Sequence, residues 1–252
     1  MSQAARRRVV VVFEPLPAGD AALAAAAALA ARLSADLAGV FLEDVNLTRL
    51  AALPFAQELG RVSAMLRPIQ SQDIEREFRV QAARARSALE AAAAGLRLAW
   101  TFEAVRGPGL RPVLELVQAL DLVVLAAGPP LAAPDVARPL AVLFDGSEAA
   151  WRALDAGQLL AAASGVNLVV LVNAAERTMF EAARREVDAW LAGRNAIGRA
   201  IWLRERAAGQ VCKAVRDAHA GLLFWHDGET VRDERLLASL VAGLKCPLVL
   251  VG

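Results

Sequence analysis

The sequence predicts an α/β protein made of two tandem, doubly wound parallel-sheet units, the first lacking its last helix and strand. Three observations carry this. Short continuous runs of β-branched and apolar residues recur, each the length of a strand buried on both faces. Helical stretches with one apolar face alternate with them, the order expected of parallel strands joined by crossovers. The strand–helix series then begins again near mid-chain, so the second half repeats the first.

The first unit is expected over residues 1–128. Residues 9–13 (VVVVF) read as a buried strand. Pro15, Pro17 and Gly19 make a loop, and Asp20 can cap a helix over 21–33. Residues 37–42 form a second strand, reached by a right-handed crossover. Within 46–67, Leu47, Leu50, Leu53, Phe55 and Leu59 are apolar and Pro54 interrupts them. This reads as a short helical excursion, either a lid over the sheet edge or a subunit contact, the lid being preferred. A long helix spans 71–94, with Ile74, Phe78, Ala82, Ala85 and Leu89 in one buried stripe. Arg76, Arg79, Arg84 and Arg86, interspersed with Glu75 and Glu77, form its solvated face. A strand at 100–105, a turn at Gly107, Pro108 and Gly109, a helix at 112–120 and a fourth strand at 122–126 complete this unit.

Residues 129–138 are a proline-rich linker replacing the missing helix and fifth strand. The second unit is expected over 139–252. Its strands are 140–144, 167–172, 200–203, 222–225 and 247–251. A turn at Asp145, Gly146 and Ser147 leads into a helix ending near 164. The helix at 178–192 points Met179, Ala183, Val187, Trp190 and Leu191 inward and stops at Gly193. Further helices span 210–218 and 234–244. The closing strand is expected to be a sheet edge able to pair with another chain.

Composition narrows the function. Of 252 residues, 57% are hydrophobic and 22% charged, enough for a large core. The 28 basic and 27 acidic residues nearly cancel, so a nucleic-acid partner is not expected. Arg6, Arg7 and Arg8 are read as a solvated lead-in to the first strand rather than an anion contact. The longest uncharged stretch, 156–175, is broken by Gln158, Ser164, Gly165, Asn167 and Asn173, so no membrane span is expected. Without a signal-peptide pattern, a cytoplasmic location is expected. Cys212 and Cys246 lack metal-ligand spacing and read as free, buried thiols.

Several motifs are specific in combination. The segment AVLFDGSEAAWRAL (141–154) resembles the first strand, Asp-Gly-Ser turn and first helix of universal stress proteins, which are Rossmann-like α/β proteins. KCPLVLV (245–251) is similar to their closing strand. LAGVFLED (37–44), Arg106 with Gly107, and DLVVLAAG (121–128) resemble the family's second strand, third-strand exit and fourth strand. The resemblance spans nearly the whole chain and implies a stress-response protein. ATP-binding members follow strand four with Gly-x-x-Gly, nine residues, then Gly-Ser or Gly-Thr, where backbone N–H groups and a helix N-terminus hold the phosphates. This chain departs from the pattern in both halves. His226 and Glu229 fall at the two glycine positions of the second half, and Glu234 and Arg235 where Gly-Ser would stand. Ala126 replaces the first glycine of the first half. The family's strand-one acid, placed near adenine and ribose in binding members, corresponds to Asp145 and Glu14.

Asp145, Gly146, Ser147, Val172 and His226 are therefore the candidate remnant of a nucleotide pocket, in the switch-point crevice between strands one and four. The simpler alternative is that Asp145 and Ser147 only serve the helix start. Arg152 and His226 could meet an anion there. No GxSxG, GxxxxGKS/T or HExxH motif occurs, and His219 and His226 are the only histidines, so neither catalytic residues nor a metal site are expected. His219 reads as a helix-end residue. The expectation is a non-catalytic protein without a cofactor, acting through protein contacts or as a homodimer. The alternative is a module binding ATP or another adenine nucleotide, or a small ligand, in the second unit.

Overall fold

The computed structural model describes residues 8–14, 19–53, 57–59, 66–68, 71–116, 122–126, 138–226 and 234–252. In chain order its elements are β1 (Arg8–Phe13), α1 (Gly19–Leu33), β2 (Asp36–Asp44), α2 (Val45–Ala51), β3 (Gln57–Leu59), β4 (Leu66–Pro68), α3 (Ser71–Leu96), β5 (Trp100–Gly107), α4 (Arg111–Leu116) and β6 (Leu122–Leu125). They continue as β7 (Leu140–Phe144), α5 (Glu148–Ser164), β8 (Leu168–Asn173), α6 (Arg177–Gly193), β9 (Gly198–Leu203), α7 (Ala208–Asp217), β10 (Leu222–His226), α8 (Glu234–Gly243) and β11 (Leu248–Val251).

One nine-stranded sheet holds all but the β3–β4 hairpin, in the order β5-β2-β1-β6-β11-β10-β7-β8-β9. From β1 the chain steps outward through β2 to β5, then returns to the other side of β1 with β6. The second series does the same from β7, through β8 to β9, back to β10, and then on to β11. All pairings in this sheet are parallel except one. There β11 runs antiparallel to β6, pairing Leu248 with Leu125 and Val251 with Leu122. The closing strand is therefore an interior strand, which corrects the expectation of an edge. The reason lies in the first series: among the described residues β6 is its last strand, and β11 takes that open row of backbone donors and acceptors. The edges are β5 and β9.

Continuous apolar strands need cover on both faces, and helices supply it. Val9, Val11 and Phe13 share one face with α1, α3, α5 and α6, where Leu29, Leu89, Leu154 and Val187 are buried. Val10 and Val12 share the other, where Val211 and Val215 of α7 and Leu237 and Leu240 of α8 are buried. The α3 stripe is as expected: Phe78 and Leu89 are buried, with Ile74, Ala82 and Ala85 packed beside them.

Two local readings change. Among the described residues of the 46–67 excursion, α2 is helical and β3 and β4 then pair antiparallel. Leu47, Leu50 and Leu53 are 39%, 56% and 42% exposed, so these three side chains do not form a buried lid. Pro54 and Phe55 lie outside the described residues. In α6, Met179 is 58% exposed while Phe180 is buried with Val187 and Leu191. The inward stripe starts one residue later than the sequence reading, because Phe180 stacks on Trp202 of β9 at 5.7 Å. The linker at 129–137 also lies outside the described residues.

Candidate functional site: the switch-point crevice of the second series

In a doubly wound sheet the crevice opens at the carboxyl ends of the strands where the chain reverses direction across the sheet. Here that point lies between β7 and β10, which are parallel neighbours. Asp145 follows β7, and His226 ends β10.

The turn after β7 is built locally. Gly146 adopts φ 83, a conformation that glycine reaches without cost. Asp145 Oδ1 accepts from the Ser147 backbone N–H at 3.0 Å, and Ser147 Oγ accepts from the Ala150 N–H at 3.1 Å, capping α5. This fixes one carboxylate oxygen inward and leaves Oδ2 for the crevice. There it lies 3.3 Å from His226 Nε2 and 3.4 Å from Arg206 Nη1. The Arg206 Nη2 also donates to the His226 backbone carbonyl at 3.5 Å, and its Cζ stands 4.8 Å from the Trp225 ring centroid.

His226 is fully buried, and neither ring nitrogen has a hydrogen-bond partner among the described residues. Burial pulls the ring down to about 4; Asp145 opposes this shift and Arg206 adds to it. The imidazole is thus neutral at physiological pH. Burial pushes the Asp145 carboxyl up, but Ser147 hydrogen bonds and the charges of His226 and Arg206 outweigh it, leaving it below its ordinary value. With the ring neutral, Ser147 and Arg206 do this at pH 7.

The structure thus brings Asp145, Gly146, Ser147 and His226 together. Val172 is fully buried inside β8, paired with Phe144 and packed in the core beneath. Arg152 donates to the Gly252 carbonyl at 3.1 Å and pairs with Glu148 at 3.1 Å. Arg206 is the residue that the sequence reading missed. His219, in the left-handed region with φ 54, ends α7 as expected, its Nδ1 2.9 Å from the Arg216 carbonyl. Asp227 and Glu229 lie outside the described residues. Among the described residues no group of three metal-ligating side chains occurs, and no helix is long and apolar enough to cross a membrane.

In the first series the equivalent end of β1 carries Glu14, which is exposed. Asp44 accepts from the Asn46 N–H at 2.9 Å to cap α2, and Glu43 pairs with Arg106 at 2.9 Å.

No protein-family model and no curated protein sequence matches the chain. Solved structures do. A universal stress protein from Archaeoglobus fulgidus superposes with a TM-score of 0.57 at 9% identity, covering 96% of this chain and 95% of that one. A putative universal stress protein from Pseudomonas aeruginosa gives 0.52 at 14% identity, covering 98% and 93%. At such identities the likeness is one of fold. Over nearly its whole length, this chain has the universal stress protein fold.

Proposed function

We propose that this chain is a stress-response protein of the universal stress type that neither binds ATP nor catalyses a reaction, and acts in the cytoplasm through protein contacts or dimerisation. The carrying observation is the His226 ring, buried against Asp145 where a nucleotide-binding member would have a glycine. A glycine there lets backbone N–H groups approach phosphate; an imidazole with its own Cβ occupies that space. The Asp145 carboxylate opposes an anion there. The near-neutral charge speaks against a nucleic-acid partner.

The contact surface is argued from α2, whose Leu47, Leu50 and nearby Leu53 are exposed beside an otherwise buried Ala51. A second reading, an adenine-nucleotide or small-ligand module, draws on the intact Asp145-Gly146-Ser147 turn. Thermal unfolding with ATP and Mg²⁺ separates the two. A site for the nucleotide raises the midpoint saturably by mass action. The proposal expects no shift at millimolar ATP, and a saturable rise overturns it.

A further inference from the structure

Three groups at the mouth of the crevice share one chemical preference. The face of Trp225 is electron-rich, the Asp145 carboxylate is anionic and held below its ordinary range, and the His226 backbone carbonyl is an acceptor. None of the three favours an anion. All three favour a flat cation, and a guanidinium is the side-chain cation that both stacks on an aromatic face and donates in its own plane. The cation present is Arg206. Its loop leaves β9, two strands away from β7, and carries the side chain past the end of β8 to Asp145 and Trp225. Only 21% of that side chain and 2% of Trp225 remain exposed. The neutral His226 ring beside it adds no competing positive charge.

We infer that the switch-point crevice of the second series is a guanidinium seat, made by Trp225, Asp145 and the His226 carbonyl, and filled in cis by Arg206. This deepens the reading of a crevice closed to nucleotides, and rests on it: the ligand class of the site is a planar cation, and the chain supplies its own.

Removing the occupant while keeping the seat tests this. Arg206→Ala should lower the unfolding midpoint by about 4 °C, the scale of a partly buried ion pair in a chain of this size. Ethylguanidinium at low millimolar concentration should then recover part of that loss saturably. It should not raise the wild-type midpoint, and the recovery should vanish in Arg206→Ala/Asp145→Asn. Ethylammonium, of equal charge but not planar, should recover less. A midpoint unchanged by Arg206→Ala, recovery no greater than in the wild type, or equal recovery by ethylammonium overturns the seat. Should Arg206→Ala not fold, Arg206→Lys keeps the charge without the planar fork. A midpoint below the wild type supports the seat, and one at or above it overturns it. Stabilisation of the wild type by ATP and Mg²⁺ overturns the functional reading alone, since ethylguanidinium decides the seat separately.

Discussion

A buried imidazole that stays neutral ties stability to pH. In the unfolded chain His226 takes up a proton near its ordinary value of 6.5, but in the folded chain only near 4. Between those values the unfolded state binds more protons, so stability falls as the pH falls. The loss is complete only below about 4 and amounts to about 3 kcal/mol. Asp145, also held below its ordinary value, adds a loss at still lower pH, where its carboxylate must be protonated. Denaturant unfolding at pH 7 and pH 5 should show the drop, and His226→Leu should flatten it; an equal drop in that variant would assign the effect elsewhere. His226 was legible in the sequence because it directly follows an apolar strand. Arg206 was not. In the run Arg204, Glu205, Arg206 it looks like any solvated loop charge, and its place over Trp225 depends on the loop crossing β8, which no local pattern encodes. Arg204 illustrates the ambiguity, since it also stacks on a tryptophan, Trp202, at 4.8 Å, yet takes no part in the crevice.

The helix α5 joins crevice to core, and two substitutions separate these roles. Ser147→Ala removes the hydroxyl that accepts from the Ala150 N–H and should cost about 1 kcal/mol by denaturant unfolding. Gly157 faces the sheet in mid-helix. In an isolated helix alanine would be favoured there by up to about 1 kcal/mol. Here its Cβ would stand 2.9 Å from Val142 Cγ2 and 3.4 Å from Phe224 Cδ2, so Gly157→Ala should instead destabilise by about 1–3 kcal/mol. A gain in stability would show that the helix–sheet packing has slack. Element types were readable where the apolar runs were long and the caps explicit. Helix phase was less so, since Met179 and Phe180 are both apolar and only the Trp202 ring chooses between them. The β3–β4 hairpin was hidden for a similar reason: leucines around Pro54 fit a broken helix as well as a helix followed by a short hairpin.

At the scale of the whole molecule, the joint between the two series explains the architecture. Among the described residues β6 is the last strand of the first series, and β11 of the second series fills its outer edge, making one nine-stranded sheet. The two series were legible because each is a set of local patterns. The joint was not, because it pairs strands more than 120 residues apart, and an antiparallel partner leaves no trace in an all-apolar strand. One consequence concerns assembly. The closing strand is already paired on both sides, so it is not the edge through which copies would pair. Replacing Leu47 and Leu50 of α2 by glutamate should shift a self-associating sample toward monomer in sedimentation velocity, and an unchanged distribution would remove α2 from that role.

The most direct test of this architecture is native-state hydrogen exchange at Val249, Leu250 and Val251, followed at several protein concentrations. An interior β11 predicts protection comparable with β7 and β8 and independent of concentration, because its backbone is paired to both β10 and β6 within one chain. Exchange as fast as at the β5 and β9 edges, or protection that disappears on dilution, would contradict it.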